Sequence, residues 1–163
     1  MAYKKLKNLS IENAEIFARN FSGRENEYNQ KGVKTFCVEI DDPDIAQHLA
    51  EDGWNVKIRA VHDEGEEPKH YIPVVLRYFE DEDDYRNPVI KMITKRKQVL
   101  LNDHTVNALD DVEIRNVDLV IRPFHWVKNG REGVKAYVKA MYVVIEEDKF
   151  AEKYAMEEGP EEF

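Results

Sequence analysis

Hydrophobic and polar residues alternate with period two along much of this chain, the spacing of strands that bury one face. The longest such pair closes the sequence: Val112–Trp126 and Val134–Ile145, both rich in Val, Ile and aromatic residues. Between them stands Lys128-Asn129-Gly130-Arg131-Glu132-Gly133. The Asn-Gly pair predicts a tight hairpin, because both residues reach positive φ at little cost. In the second strand Ala136, Val138, Ala140, Tyr142 and Val144 are expected on one face, with Lys135, Tyr137, Lys139 and Met141 on the other. Upstream, the pattern predicts a strand over Leu9–Phe21, with Phe17, Arg19 and Phe21 sharing a face, then a loop Ser22–Gly32 and a strand Val33–Ile40. Asp42-Pro43 opens a short helix that runs to Asp52 and is ended by Gly53. Trp54–Val61 reads as a strand with Trp54, Val56, Ile58 and Ala60 inward and Asn55, Lys57 and Arg59 outward. Strands are also expected over His70–Phe79 and Pro88–Thr94, a short helix over Asp103–Leu109, and a last helical turn or two in Asp148–Met156.

Many short strands with two brief helices predict a mainly β fold. A five-stranded Greek-key barrel of the OB type, with one or two extra strands, accommodates the count. The expected organisation is one folded domain over residues 1–150 and a flexible acidic tail over residues 151–163.

Charge changes the picture only once it is divided. The chain has 163 residues and a net charge of −9, which argues against nucleic acid at first sight. From Glu146 onward there are eight acids and two lysines, so six of the nine negative charges lie there. Asp41–Asp44, Asp63–Glu67 and Glu80–Asp84 are loop-like and hold 12 of the other 25 acids, which leaves 13 acids against 22 bases. Screening limits the reach of each charge to about 8 Å at physiological salt, so a basic surface survives an acidic total. The single cysteine, Cys37, excludes an internal disulfide and fits a reducing compartment. No apolar run reaches the roughly 20 residues of a membrane span, and Met-Ala-Tyr-Lys-Lys lacks the apolar stretch of a signal peptide. A cytoplasmic location is expected.

Groups of basic and aromatic residues recur in different strands. The groups are Phe17/Arg19/Phe21, Lys57/Arg59, Tyr71/Arg77/Phe79, Lys95-Arg96-Lys97, Arg122/Phe124/Trp126 and Lys135/Tyr137/Lys139. Cations neutralise phosphates while aromatic rings stack on bases of any identity, which is the chemistry of single-strand binding. The loop Asn20–Gly32 adds Arg24 and Tyr28. Half-exposed sheets carry Lys and Arg on ordinary grounds, so no one group decides the matter; six of them with an acidic tail do. The five histidines lack zinc spacing, and the acidic runs lack the spacing of a Ca²⁺ loop. No nucleophile motif or phosphate-cradling glycine loop is present, and neither an enzymatic activity nor a cofactor is expected.

Several short motifs, taken in order, resemble the single-stranded-DNA-binding proteins of tailed bacteriophages. They are Arg19-Asn20-Phe21-Ser22-Gly23 with Tyr28-Asn29 and Gly32, then Phe36-Cys37-Val38. Leu49-Ala50-Glu51-Asp52-Gly53-Trp54-Asn55-Val56-Lys57 and Asn116-Val117-Asp118-Leu119-Val120-Ile121-Arg122-Pro123 follow. Gly133-Val134-Lys135-Ala136-Tyr137 with Met141-Tyr142 completes the set. The resemblance spans roughly Leu9 to Tyr154 and implies an OB-fold and sequence-independent binding in phage replication or recombination, within the infected host cell. The ending Glu161-Glu162-Phe163 is similar in kind to acidic, Phe-terminated tails that contact replication proteins and compete with DNA, although it lacks a long Gly/Pro-rich linker.

The DNA-contacting set is therefore expected to be Arg19, Phe21, Arg24, Tyr28, Lys57, Arg59, Tyr71, Arg77, Arg122, Trp126, Lys135, Tyr137 and Lys139. The tail residues Glu157, Glu158, Glu161, Glu162 and Phe163 are expected to recruit a phage or host replication protein. Homo-oligomerisation stays open. Two rivals remain: a Mg²⁺-dependent nuclease using Asp41, Asp44 or Asp118, and an acidic phage interaction protein that mimics DNA.

Overall fold

Asn129 and Gly130 adopt φ of 53° and 75°, and Lys128 pairs with Arg131 across them. The two-residue turn predicted from Asn-Gly thus joins β8 (Ile114–Lys128) to β9 (Arg131–Ile145), the longest strands in the computed structural model. The structure describes residues 5–27, 29–59 and 64–146. The other strands are β1 (Leu9–Ile11), β2 (Ile16–Asn20), β3 (Lys34–Ile40), β4 (Lys57–Arg59), β5 (Lys69–Leu76), β6 (Val89–Ile93) and β7 (Gln98–Leu101). One α-helix, α1 (Pro43–Glu51), and a 3-10 turn at Val106–Asp110 complete the described elements.

The main sheet runs β1-β8-β9-β5-β3-β2, with β5 and β9 parallel. Its two ends are one chain segment. Leu9–Ile11 pairs with Leu119–Ile121 of β8, and Ile16 and Phe17 pair with Val38 and Cys37 of β3. The residues between hold both sides: the Ala14 N–H donates to Val117 O at 2.7 Å, and the Glu39 N–H donates to Glu15 O at 2.9 Å. Residues 9–20 thereby close the sheet into a five-stranded, OB-fold-like barrel. The β6–β7 hairpin extends it by adding β6 parallel to the far half of β9.

Alternation buries Phe36, Val38 and Ile40 of β3, Ile72, Val74 and Leu76 of β5, and Val117, Leu119 and Ile121 of β8. Helix α1 is fixed by its ends. The Asp42 side chain accepts from the Asp44 N–H, Pro43 takes the first turn, and Gly53 at φ +100° lets Trp54 N–H return to Leu49 O. Ala46 and Leu49 seat it on the core.

Four expectations need correcting. The stretch Leu9–Phe21 is two strands, because Asn13 and Ala18 take φ of 53° and the β2–β3 register shifts between Phe17 and Asn20. In β9, Val120 pairs with Ala140 while Ile121 pairs with Val138, so Lys139 is the extra residue of a bulge. Beyond the bulge the faces exchange: Met141 and Val143 are buried and Tyr142 is exposed, the reverse of strict alternation. Of Trp54–Val61, only β4 is strand among the described residues, and its Ile58 is exposed. Finally, β7 was not expected; Lys95-Arg96-Lys97 lies between it and β6.

Phe21 and Phe36 stack in the core with centroids 5.3 Å apart, and neither is more than 1 % exposed. Phe21→Ala is expected to cost about 3–5 kcal/mol of unfolding free energy, read as a lowered urea midpoint, with the DNA salt dependence of the folded fraction unchanged.

Candidate nucleic-acid interface

Residues paired across a sheet share a face, so the registers define what the barrel shows to the outside. Phe17 of β2 pairs with Cys37 of β3, Cys37 with Pro73 of β5, and Thr35 with Val75. Val75 pairs with Tyr137 of β9, Tyr137 with Arg122 of β8, and Lys135 with Phe124. On the flank, Lys57 and Arg59 of β4 pair with Tyr71 and Lys69. These outward positions form one continuous surface across five strands, aromatic and basic along its length.

Two aromatic clusters organise it. At the β2 end, Phe17 meets Tyr71 edge-on at 5.2 Å, and the Arg59 guanidinium lies 4.4 Å from the Phe17 centroid. Glu39 holds Arg59 at 3.4 Å and Lys69 at 3.9 Å, which steadies the two cations. Burial pushes the Cys37 thiol up from its ordinary pKa, opposed by the charges of Lys57 and Arg59. Cys37 is therefore a quiet, uncharged part of the floor.

At the β8–β9 end, Phe124 and Tyr137 meet edge-on at 5.9 Å. Arg122 and Lys135 lie 5.5 and 5.4 Å from the Tyr137 centroid, which leaves their charge accessible beside the ring. Trp126 crosses Gly133 further along the hairpin and is 39 % exposed. Lys139 is exposed at the bulge.

Lys57, Arg59, Tyr71, Arg122, Trp126, Lys135 and Tyr137 thus come together as expected from alternation. Lys139 stands exposed at the bulge that ends this row, whereas Phe21, Arg19, Arg77 and Arg24 lie elsewhere. Phe21 is enclosed in the core and offers no ring face to a base. Arg19 points away: its guanidinium donates to Leu109 O at 2.7 Å and Val112 O at 2.8 Å, holding the carbonyl end of the 3-10 turn. The positive φ at Ala18 and the register shift beside it give the physical reason, since together they break the alternation from Phe17 to Arg19. Arg77 lies past the end of β5 and shares the Phe79 ring with Arg86, at 4.8 and 3.9 Å. Arg24 is exposed in the β2–β3 loop, 4.0 Å from Asp110. That loop is ordered by Asp110, which accepts from the Phe21 and Ser22 N–H groups at 2.8 and 2.9 Å. Tyr28 and the tail residues Glu157, Glu158, Glu161, Glu162 and Phe163 lie outside the described residues.

Phe17 and Phe124 belong to the face although the candidate set omits them. Phe124 has a sequence signal, alternating with Arg122 and Trp126; the pairing of Phe17 with Cys37 has none. Of the acidic runs, Asp42 caps α1, and Asp84 is tied to Arg86 at 2.7 Å, which holds its carboxyl down at about 2. Among the described residues no group of three His, Cys, Asp or Glu is placed to hold a metal ion. No described helix is long and apolar enough to cross a membrane.

The sequence matches the family described as "Putative phage ssDNA-binding domain" over residues 1–161. The chain belongs to that family of phage single-stranded-DNA-binding proteins. Solved structures match as well. The single-stranded DNA-binding protein from bacteriophage Enc34 in complex with ssDNA aligns with a TM-score of 0.54 at 11% identity, covering 88% of this chain and 89% of that one. The same protein from bacteriophage Enc34, in a second structure, gives a TM-score of 0.53 at 11% identity, covering 93% and 97%. At that identity the likeness is one of fold. No curated protein matches the sequence.

Tyr137→Ala is expected to weaken ssDNA binding by about 1–3 kcal/mol in a fluorescence titration, with the urea midpoint little changed. Arg19→Ala is expected to do the reverse, lowering the midpoint and sparing affinity, because two backbone carbonyls lose their donor.

Proposed function

We propose that a single DNA strand runs over the outward face from the β2 edge to the β8–β9 hairpin, held by phosphate contacts and by stacking that is independent of sequence. Phosphates are neutralised by Lys57, Arg59, Arg122, Lys135 and Lys139, and bases stack on Tyr71, Trp126 and Tyr137. The observation that carries this reading is the unbroken register from Phe17 through Val75 to Phe124, which puts two aromatic clusters and their cations on one surface. The outer face of the second and third OB strands and the loops beside it bind oligonucleotides in proteins of this fold. Here those strands are β3 and β5, and the corresponding loops include Arg24 and the Asn129-Gly130 turn. That the fold-matched Enc34 protein is in complex with ssDNA supports the same reading.

The protein acts by binding, in phage replication or recombination in the host cytoplasm, and the acidic segment from residue 151 works as a separate element. The last seven residues hold four acids and no base. Tethered beside a basic face, such a segment competes with DNA at high effective concentration and presents Phe163 to a replication protein.

Titration with single-stranded and duplex oligonucleotides at several salt concentrations tests the whole proposal. Affinity for the single strand should fall with a slope near −0.7 per phosphate neutralised, and duplex should bind more weakly because its bases are not free to stack. Equal affinity for both would contradict the stacking role. Deleting Glu157–Phe163 should raise ssDNA affinity at low salt and abolish binding to a replication partner; unchanged affinity with partner binding intact would reduce the tail to solvated charge.

A further inference from the structure

A groove of about 460 Å³ opens on the outward face between the hairpin arm and the loop that follows α1. Its volume falls within the roughly 300–1,000 Å³ of small-ligand pockets. Pro73, Val75 and Ala136 line it from the sheet, Trp126, Gly133, Val134 and Lys135 from the hairpin, and Gly53, Trp54 and Asn55 from the loop; Glu132, 3.2 Å from His125, is the one carboxylate in the lining. We infer that this groove is a discrete nucleobase pocket, in which one unstacked base lies against the Trp126 indole while the Asn55 amide meets its edge and Lys135 its phosphate. The inference rests on the ssDNA reading above and deepens it at one position: elsewhere on the face bases only stack, whereas a base in this groove also meets a side-chain amide.

Three features build it. Trp126 lies directly on the Gly133 backbone: a Cβ at Gly133 would stand 2.8 Å from Trp126 Cζ2 and 3.0 Å from Cε2 and Nε1. Gly133 has no positive φ and sits within the strand, so the close approach of the indole is what requires glycine there. The indole is thereby held against the strand while Trp126 stays 39 % exposed. The opposite wall is tied to the same strand. Val134 N–H donates to Gly53 O at 2.9 Å, and Trp54 bridges Val134, which fixes the position of Asn55 relative to Gly133. Asn55 is exposed and carries both a donor and an acceptor, the pair that reads a base edge. Lys135 and Phe124, paired across the hairpin, continue the surface from this pocket to the Tyr137 cluster. Gly133 is a positioning residue in this scheme, acting through Trp126.

The test compares oligo-dT with an abasic oligomer of equal length, which keeps the phosphates and removes the bases. Wild type should prefer oligo-dT, and Trp126→Ala should lose about fivefold to a hundredfold of that preference while its binding to the abasic strand stays as before. Gly133→Ala, which keeps the indole but lifts it, should lose a comparable part, with an unchanged melting curve showing that the fold is intact. Asn55→Ala should bring the affinities for dT, dA and dC oligomers closer together. Indole emission gives a second readout: Trp54 is buried, so the quenching of wild type by oligo-dT should be largely absent from Trp126→Ala. A Trp126→Ala protein that keeps full preference for oligo-dT overturns the pocket while leaving the broader interface standing. An unaltered ranking of homopolymers in Asn55→Ala overturns the edge contact. Wild type that binds neither strand would overturn the ssDNA reading itself.

Discussion

In a closed barrel every strand must bury alternate side chains, so whatever binds from outside is built from the other half. That constraint ties the proposed binding surface here to the core. Val74 and Leu76 can point inward only if Val75 points outward, and Val75 is the residue that joins Tyr137 to the β3–β5 half of the face. Residues 9–20 enforce the arrangement by pairing with both β8 and β3, since without that closure the sheet would have two free edges. The interface is therefore as rigid as the barrel beneath it. Its aromatic rings meet edge-on at 5.2 and 5.9 Å, holding one another in place before any ligand arrives.

Bulges are where this bookkeeping is deliberately broken. At Lys139 the extra residue turns Met141 into the core and Tyr142 out of it, which allows β9 to serve the barrel with its first half and the β6–β7 extension with its second. Near Ala18 a similar shift sends Arg19 to the carbonyls of Leu109 and Val112. Both irregularities exchange outward positions for a structural role: the regular continuation of the Lys135/Tyr137 row in the first case and Arg19 in the second.

These same places mark the limit of what the sequence makes legible. The hairpin at Asn129-Gly130, the capped helix at Asp42-Pro43 and the strands β3, β5, β6, β8 and β9 follow from local chemistry: turn residues, a capping side chain, period-two burial. So do the outward positions within unbroken strands, Lys57, Tyr71, Arg122, Lys135 and Tyr137. A bulge leaves no comparable mark, because an extra residue shifts the phase of alternation without altering its period. Strict alternation puts Phe21 and Met141 on the wrong side for that reason. Long-range pairing is equally silent in a single sequence, so the neighbourhood of Phe17, Cys37 and Pro73 emerges only from the fold.

Electrostatics bears on which face the proposal selects. Clustered acids lie at the α1 cap and in the loop around Asp84, Glu39 steadies Arg59 and Lys69, and Arg122 and Lys135 stand beside the Tyr137 ring. Photochemical cross-linking to oligo-dT, followed by mapping of the modified peptides, tests this account most directly. Exposed Tyr85 and Tyr142, which lie off the face, serve as internal controls. Adducts on Tyr71, Phe124, Trp126 and Tyr137, with Tyr85 and Tyr142 unmodified, are the predicted result; adducts confined to Tyr85 or Tyr142 would contradict it.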